Sequence, residues 1–377
     1  MALPVALLLR PHKPATRAAA AAAAAAASGP DADVRGGALR GEALRFVRFD
    51  RVGDSAWSGR LCEGEGCAAI SFLMVDPQTP GTDKILDFLV EAEPAVQELF
   101  AMLLASRSCA RLPTDSAGSA FTPWCAHDEA GSARRTMPPF VIDAGANSGF
   151  YTLFSASAGA RVVSIDPQPQ CAHYVRAGAA LSGFSDRVSV VNAFASARDD
   201  GKGAPVRLRS GCWGTFPAPD PAAYNHSRQE FDALRGGNRS INVPAVSLAR
   251  VVRSLAEQAA GGEGVLIVKI DAEGAEDALI ASLDDAGVLR AGLVKNFIVE
   301  VNSVALRSIF PGSTCTANVR VCYERLFQRF TSAGYVLLSP MSFTFMPVSG
   351  EDVAALARSV EAWEWMDMWW ALPHKVG

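Results

Sequence analysis

The sequence has no apolar run long enough to cross a bilayer. A membrane-spanning helix needs about 20 consecutive apolar residues, and the longest candidates, Ala2–Leu9 and Ala18–Ala27, fall well short. It has no basic excess either: 35 Lys and Arg stand against 39 Asp and Glu, a formal net charge of −4. Nucleic-acid binders normally carry a basic surplus, so this balance argues against that class. Histidine is scarce, at 5 residues, and no Cys-x-x-Cys pair occurs among the 8 cysteines. The commonest zinc spacing is therefore missing, and no metal site is expected. Residues 1–30 also lack acids; Asp31 is the first.

What is present is ordinary for a chain that buries a sizeable core. Of 377 residues, 49% are hydrophobic and 20% charged, which fits one large domain or two modest ones. The N-terminus, with Arg10, Lys13, Arg17 and the alanine run, reads three ways. It is an organelle transit peptide, a secretory signal, or a low-complexity tail. Residues 1–38 are set apart from the fold on any of these. Cys62 and Cys67, and Cys315 and Cys322, are close enough in sequence to pair, although buried free cysteine is also common. Two glycosylation sequons, at Asn225 and Asn238, lean toward the secretory pathway.

Residues 39–137 read as an α-rich extension in which 40–75 are mixed and partly extended and the helical pattern begins at Lys84. Ile85, Phe88, Leu89 and Ala92 share a helical face, Pro94 interrupts, and Val96, Leu99, Phe100 and Leu103 resume the spacing. Residues 138–347 form the main domain, in which strand-like runs alternate with helical ones. Such alternation implies a mostly parallel sheet with helices on both faces. In these sheets ligands bind beyond the carboxyl ends of the strands. Asp143, Asp166, Asn192, Asp271 and Glu300 all fall at or beside an expected strand end. Residues 348–377 read as a Trp-rich helical tail, with four of the seven tryptophans between Trp363 and Trp370. His173 and His226 read as structural or surface residues.

The most informative stretch is Val141–Phe150, a strand, a glycine-containing turn and a helix start. A pyrophosphate-binding turn would space its glycines as Gly-x-Gly-x-x-Gly. Here the spacing is Gly145-x-x-x-Gly149, with Asn147 between and Asp143 just before the turn. A carboxylate there would repel a pyrophosphate and suit a cationic ligand. Asp166 stands 23 residues later, where an acid accepts ribose hydroxyls.

The segment Asp143-Ala-Gly-Ala-Asn-Ser-Gly-Phe-Tyr-Thr152 resembles the first motif of FkbM-type S-adenosylmethionine-dependent methyltransferases. Ile165-Asp166-Pro167-Gln168-Pro169 resembles the family's second strand end, though Glu is more usual there. Asn192-Ala193 is similar to its third. Val268-Lys-Ile-Asp271-Ala-Glu273-Gly-Ala-Glu276 resembles its most distinctive stretch, and Glu300 follows in the fifth strand. One departure is visible: the acidic pair common after the Ser/Thr-Leu is Ala249-Arg250 here.

The resemblance implies a Rossmann-like class I methyltransferase fold, with a mostly parallel seven-stranded sheet. It implies S-adenosyl-L-methionine as cofactor. Asp143 would serve the methionine end, Gly145, Asn147 and Gly149 the turn, Asp166 the ribose, and Asn192 and Ala193 the adenine. It points to O-methylation of a small-molecule or glycan acceptor. Asp271, Glu273 and Glu300 are the candidate general bases, Asp271 first; helix capping is the competing role for Glu273 and Glu276. Two other classes stay open. One is a non-catalytic module that keeps the fold and binds a ligand or partner. The other is a nucleotide-dependent oxidoreductase, which Asp143 and the glycine spacing disfavour.

Overall fold

The computed structural model describes residues 48–51, 56–60, 69–73, 94–104, 138–197, 204–207, 240–259, 264–302, 318–338, 345–346, 353–358 and 365–373. The N-terminal 38 residues, both sequon asparagines, the expected helix before Pro94 and six of the eight cysteines lie outside these.

The extension expected to be α-rich is not so among its described residues. It contributes an antiparallel meander, β1 (Arg48–Arg51), β2 (Ala56–Arg60) and β3 (Ala69–Leu73), then one helix, α1 (Pro94–Leu104). Segments such as Ala69-Ile-Ser-Phe-Leu73 lack helical periodicity, and short β-branched and aromatic runs pair as strands. Pro94 opens α1 rather than breaking a longer helix. Proline has no N–H to offer, and the first helical position has no use for one.

The main domain follows as β4 (Phe140–Ala144), α2 (Phe150–Ser157), β5 (Arg161–Asp166), α3 (Pro169–Leu181), β6 (Val188–Asn192) and β7 (Phe194–Ser196). After these come β8 (Ala204–Arg207), β9 (Ser240–Val243), β10 (Ala245–Ser247), α4 (Leu248–Gln258), β11 (Val265–Ile270) and α5 (Glu276–Asp285). The chain closes with β12 (Val294–Asn302), α6 (Val319–Ser332), β13 (Val336–Leu338), β14 (Phe345–Met346) and β15 (Trp365–Ala371). The large sheet runs β6-β5-β4-β11-β12-β15-β13-β14. Its first five strands are parallel, while β15 is antiparallel to both neighbours. With the two-residue edge strand β14 set aside, this is the seven-stranded Rossmann-like class I arrangement.

Both faces of this sheet are covered, which is why β4 and β11 are buried along their whole length. One face carries Ile142, Ile165, Val268, Val299 and Trp370 against α4, α5 and α6. The other carries Val141, Val162, Ile267, Ile298 and Trp369 against α1 and α2. The α1 helix is fixed by Phe100, whose ring centre lies 4.6 Å from that of Tyr151. Cys171 on α3 and Cys322 on α6 are each disulfide-bonded, to partners outside the described residues.

The C-terminal segment corrects the expected helical tail. Residues 353–358 are helical, but Trp365–Ala371 is a strand inserted between β12 and β13. Its alternation sends Trp369 and Trp370 to opposite faces, both fully buried. Trp370 stacks on Phe330 with ring centres 4.8 Å apart. Trp369 Nε1 donates to Asn296 Oδ1 at 3.1 Å, and Asn296 Nδ2 donates to the Leu266 carbonyl. Residues 365–371 therefore belong to the main domain, not to an appendage after 347.

Candidate active site

The chain leaves β4 in one direction, through α2 to β5. It returns through α4 to β11 on the other side of β4. Beyond the ends of β4 and β11 the crossovers therefore diverge and leave a crevice, where open α/β sheets bind ligands.

The turn after β4 is packed tightly against that of β11. The amides of Gly145 and Ala146 both donate to the Ile165 carbonyl, and the Asp271 amide donates to the Ala144 carbonyl at 2.9 Å. Gly145 has φ +90°, and a Cβ there would lie 1.7 Å from the Asp271 carbonyl oxygen. Only glycine fits, both for backbone conformation and for space. Asn147 is also left-handed, at φ 50°, a conformation asparagine tolerates better than most residues. Gly149, at φ 86°, is the N-cap of α2.

This turn presents its backbone to Asp166. The carboxylate accepts from the Asn147 amide at 2.8 Å and from the Gln168 amide at 2.7 Å. It is 4% exposed, and burial pushes its pKa up to about 7 despite those two donors. A carboxylate has about four lone-pair sites, so acceptor capacity remains for ligand hydroxyls. Asn192 donates its amide to the carbonyls of Asp166 and Pro167 at 2.9 and 3.0 Å. It braces the Asp166 loop. The Ala193 amide donates to the Asp166 carbonyl, so this pair supports the rim from β6.

Asp143 is buried behind the turn and accepts from Thr152 Oγ1 at 2.6 Å. Burial raises its pKa, opposed chiefly by the charge of Lys269. Lys269, 3% exposed, donates to Asp271 Oδ2 at 2.8 Å, and its Nζ lies 4.9 Å from the Tyr151 ring centre. Both contacts favour the cationic form.

Asp271, at 25% side-chain exposure, is the member of this pair open to the crevice. Burial would raise its pKa, but Lys269 and a hydrogen bond with Glu300 more than offset this and hold it below the usual carboxylate range. Glu300 is driven the other way, well above its ordinary value, by burial and then by Asp271. Two carboxyls in contact cannot both ionise cheaply. The pair therefore favours the negative charge on Asp271 and the proton on Glu300.

Of the three expected bases, the structure joins Asp271 and Glu300. Glu273 lies on the β11–α5 loop at φ 50°, where Asn302 Nδ2 donates to it at 3.4 Å and its charge bears on Glu300. Glu276, the first residue of α5, does not cap the helix: its carboxylate accepts from the amides of Ala272 and Gly274 and closes the preceding loop. Three participants were not singled out from sequence for the site. Lys269 carried a signal, as the lone cation in an apolar strand. Thr152 closes the motif that begins at Asp143, and Asp367, paired with Glu300 in register, carried no signal. Among the described residues no group of three or more His, Cys, Asp or Glu is arranged to hold a metal ion. No helix among them is long and apolar enough to cross a membrane.

The profile of the methyltransferase FkbM domain matches residues 143–336, which takes in every element of this crevice except β15. The chain belongs to the FkbM methyltransferase domain family. Its family and its sheet are those of S-adenosylmethionine-dependent methyltransferases. No curated protein matches it significantly. Among solved structures it is similar to cofactor-bound Rv0187 from MTB, at 17% identity over 79% of this chain and 98% of that one, with a TM-score of 0.31. It is also similar to an O-methyltransferase from Bacillus cereus in complex with SAH, at 13% identity over 78% and 96%, with a TM-score of 0.32. It is the profile match that places the chain in the FkbM family.

The donor set fits the family's cofactor. Asp143 behind the turn suits a ligand with positive charge and no phosphate, and Asp166 retains acceptor sites for ribose hydroxyls.

Proposed function

We propose that this protein is an O-methyltransferase that uses S-adenosylmethionine and methylates a hydroxyl of a sugar, lipid or small metabolite. When bound, the cofactor supplies a sulfonium methyl group open to in-line displacement. The chain's part is to bind, orient and take a proton. The glycine turn and Asp166 hold the cofactor's nucleoside end, and Asp143 lends negative potential toward its methionine end. Asp271 accepts the proton of the acceptor hydroxyl, a role worth typically ~10²–10⁴-fold. The observation that carries this reading is the anionic, partly exposed Asp271 at the switch point, backed by Lys269. Glu273 is the weaker base candidate because it lies off that line.

Calorimetric titration of the full chain with S-adenosylmethionine and S-adenosylhomocysteine tests the cofactor. Micromolar binding that is lost in Asp166→Ala supports it. No binding to folded protein turns the reading to the non-catalytic module. Transfer of labelled methyl to a panel of glycans, lipids and small hydroxyl compounds then tests the base. Asp271→Asn should abolish turnover while leaving S-adenosylhomocysteine bound, and near-normal turnover overturns the assignment.

The disulfides at Cys171 and Cys322 support an oxidising compartment. With the two sequons they favour the secretory alternative over an organelle. Mass spectrometry of protein secreted from eukaryotic cells checks this: unoccupied Asn225 and Asn238 in an intracellular product would refute it.

A further inference from the structure

The acidic row at the carboxyl rim does not end at Glu300. Asp367 on β15 is paired with Glu300 in the antiparallel register, and such partners project to the same face of a sheet. Asp367 is 8% exposed. Across this face the order is Lys269, Asp271, Glu300, Asp367, with a cation at one end and a carboxylate at the other. The strand that brings Asp367 there lies outside the family match at 143–336.

We propose that Asp367 is a positioning residue that, together with Lys269, keeps the proton shared by Asp271 and Glu300 on Glu300. Asp271 then retains its free lone pair for the acceptor. The consequence for catalysis rests on the reading of Asp271 as base; the location of the proton does not.

The physics is an asymmetric field across a hydrogen-bonded pair. Lys269 Nζ, 2.8 Å from Asp271 Oδ2, stabilises negative charge on that side. Three acids face Glu300: Asp271 across the pair, Glu273 from the loop, and Asp367 from β15. All three favour its protonated form. Buried charges are weakly screened, so one neighbouring carboxylate biases where a proton sits. Asp367 shares the paired position on the adjacent strand, which makes it the fixed element of that bias.

Infrared titration of the full chain tests this without cofactor or acceptor. The carbonyl band of protonated Glu300 is the one lost in Glu300→Gln. In Asp367→Asn that band should vanish at a pH lower by about one unit, a tenfold change in proton affinity. Asp367→Glu, which restores the charge, should return it toward the wild-type midpoint. A purely structural role would not follow charge in this way. A Glu300 band that titrates unchanged in Asp367→Asn, or that shifts equally in Asp367→Glu, overturns the proposal. If the band behaves as expected but S-adenosylhomocysteine does not bind, the methyl-transfer reading fails and the proton assignment stands. An unmoved band in protein that binds S-adenosylhomocysteine fails the proton assignment alone.

Discussion

Lys269 and Asp143 lie side by side on adjacent parallel strands, yet the lysine gives its hydrogen bond to Asp271, 2.8 Å away and two residues further along its own chain. Asp143 takes Thr152 instead. One buried cation thus serves two acids, one by contact and the other by charge.

Removing that cation should be costly in a pH-dependent way. Breaking a buried pair by deleting one partner costs about 3–5 kcal/mol. Asp271 has a depressed folded-state pKa, so its contribution is present above the unfolded value and is lost as pH falls through the folded one. In Lys269→Met that contribution reverses, because both acids are left buried without a counter-charge. Urea unfolding of wild type and Lys269→Met at about pH 5 and about pH 8 should show the larger stability gap at the higher pH. A gap independent of pH would sink the assignment of Lys269 as the counter-charge.

Cofactor binding should release a proton near neutrality. Asp166 is raised to about 7 by burial, and ribose hydroxyls bind its ionised form. Affinity for S-adenosylhomocysteine should therefore rise as pH goes from about 6 to about 8. The calorimetric enthalpy should vary with the ionisation enthalpy of the buffer, and Asp166→Asn should remove that dependence. Buffer-independent enthalpy in the wild type would contradict the ribose role.

Asp166 and Glu276, each raised to about 7, also set the stability curve. A raised folded pKa contributes stability that is complete below the unfolded value and lost as pH rises through the folded one. The ligand-free protein should lose stability between about pH 5 and about pH 8, on the order of a few kcal/mol. Melting temperatures that climb over this window would refute it.

Gly145→Ala and Gly159→Ala separate crowding from backbone strain. Both glycines have φ near +90°, but a Cβ at Gly145 meets the Asp271 carbonyl at 1.7 Å, whereas one at Gly159 meets nothing within 4 Å. Strain alone costs roughly 1–2 kcal/mol. Gly159→Ala should lower the melting temperature modestly, and Gly145→Ala should leave no folded, cofactor-binding protein. Similar melting temperatures for the two would show that the turns can separate.

A chain ended after Pro347 should not fold. It would lack β15, leaving β12 and β13 without their shared neighbour and exposing the beds of Trp369 and Trp370. A cooperative melting transition in that truncation would show that the tail is separable after all.

The parallel half of the sheet was legible in the sequence because its signals are local. Apolar runs such as Val265–Ile270 are bounded by turns, and each ends at a polar residue on the rim. Asp143, Asp166 and Asp271 could be read in the same way, from strand ends. The meander of β1 to β3 was legible only as a partly extended stretch within 40–75, because short irregular runs acquire defined strand pairing only from a partner. The strand at Trp365–Ala371 was hidden for a related reason. Period-two alternation in Trp-Met-Asp-Met-Trp-Trp is real, but all six positions except Asp367 are apolar, so the pattern does not show against its background.

The sequence by itself determined the order of the parallel strands and their helices, the glycine turn and the acids at those strand ends, because these follow from backbone constraints and short-range periodicity. Only the tertiary structure decided how the acids divide their roles. Glu300 meets Asp271 while Glu273 does not, Lys269 bonds Asp271 rather than its cross-strand neighbour Asp143, and Asp367 arrives from a strand 67 residues further along the chain. Charge and protonation depend on distance and burial in space, and separation along the chain encodes neither.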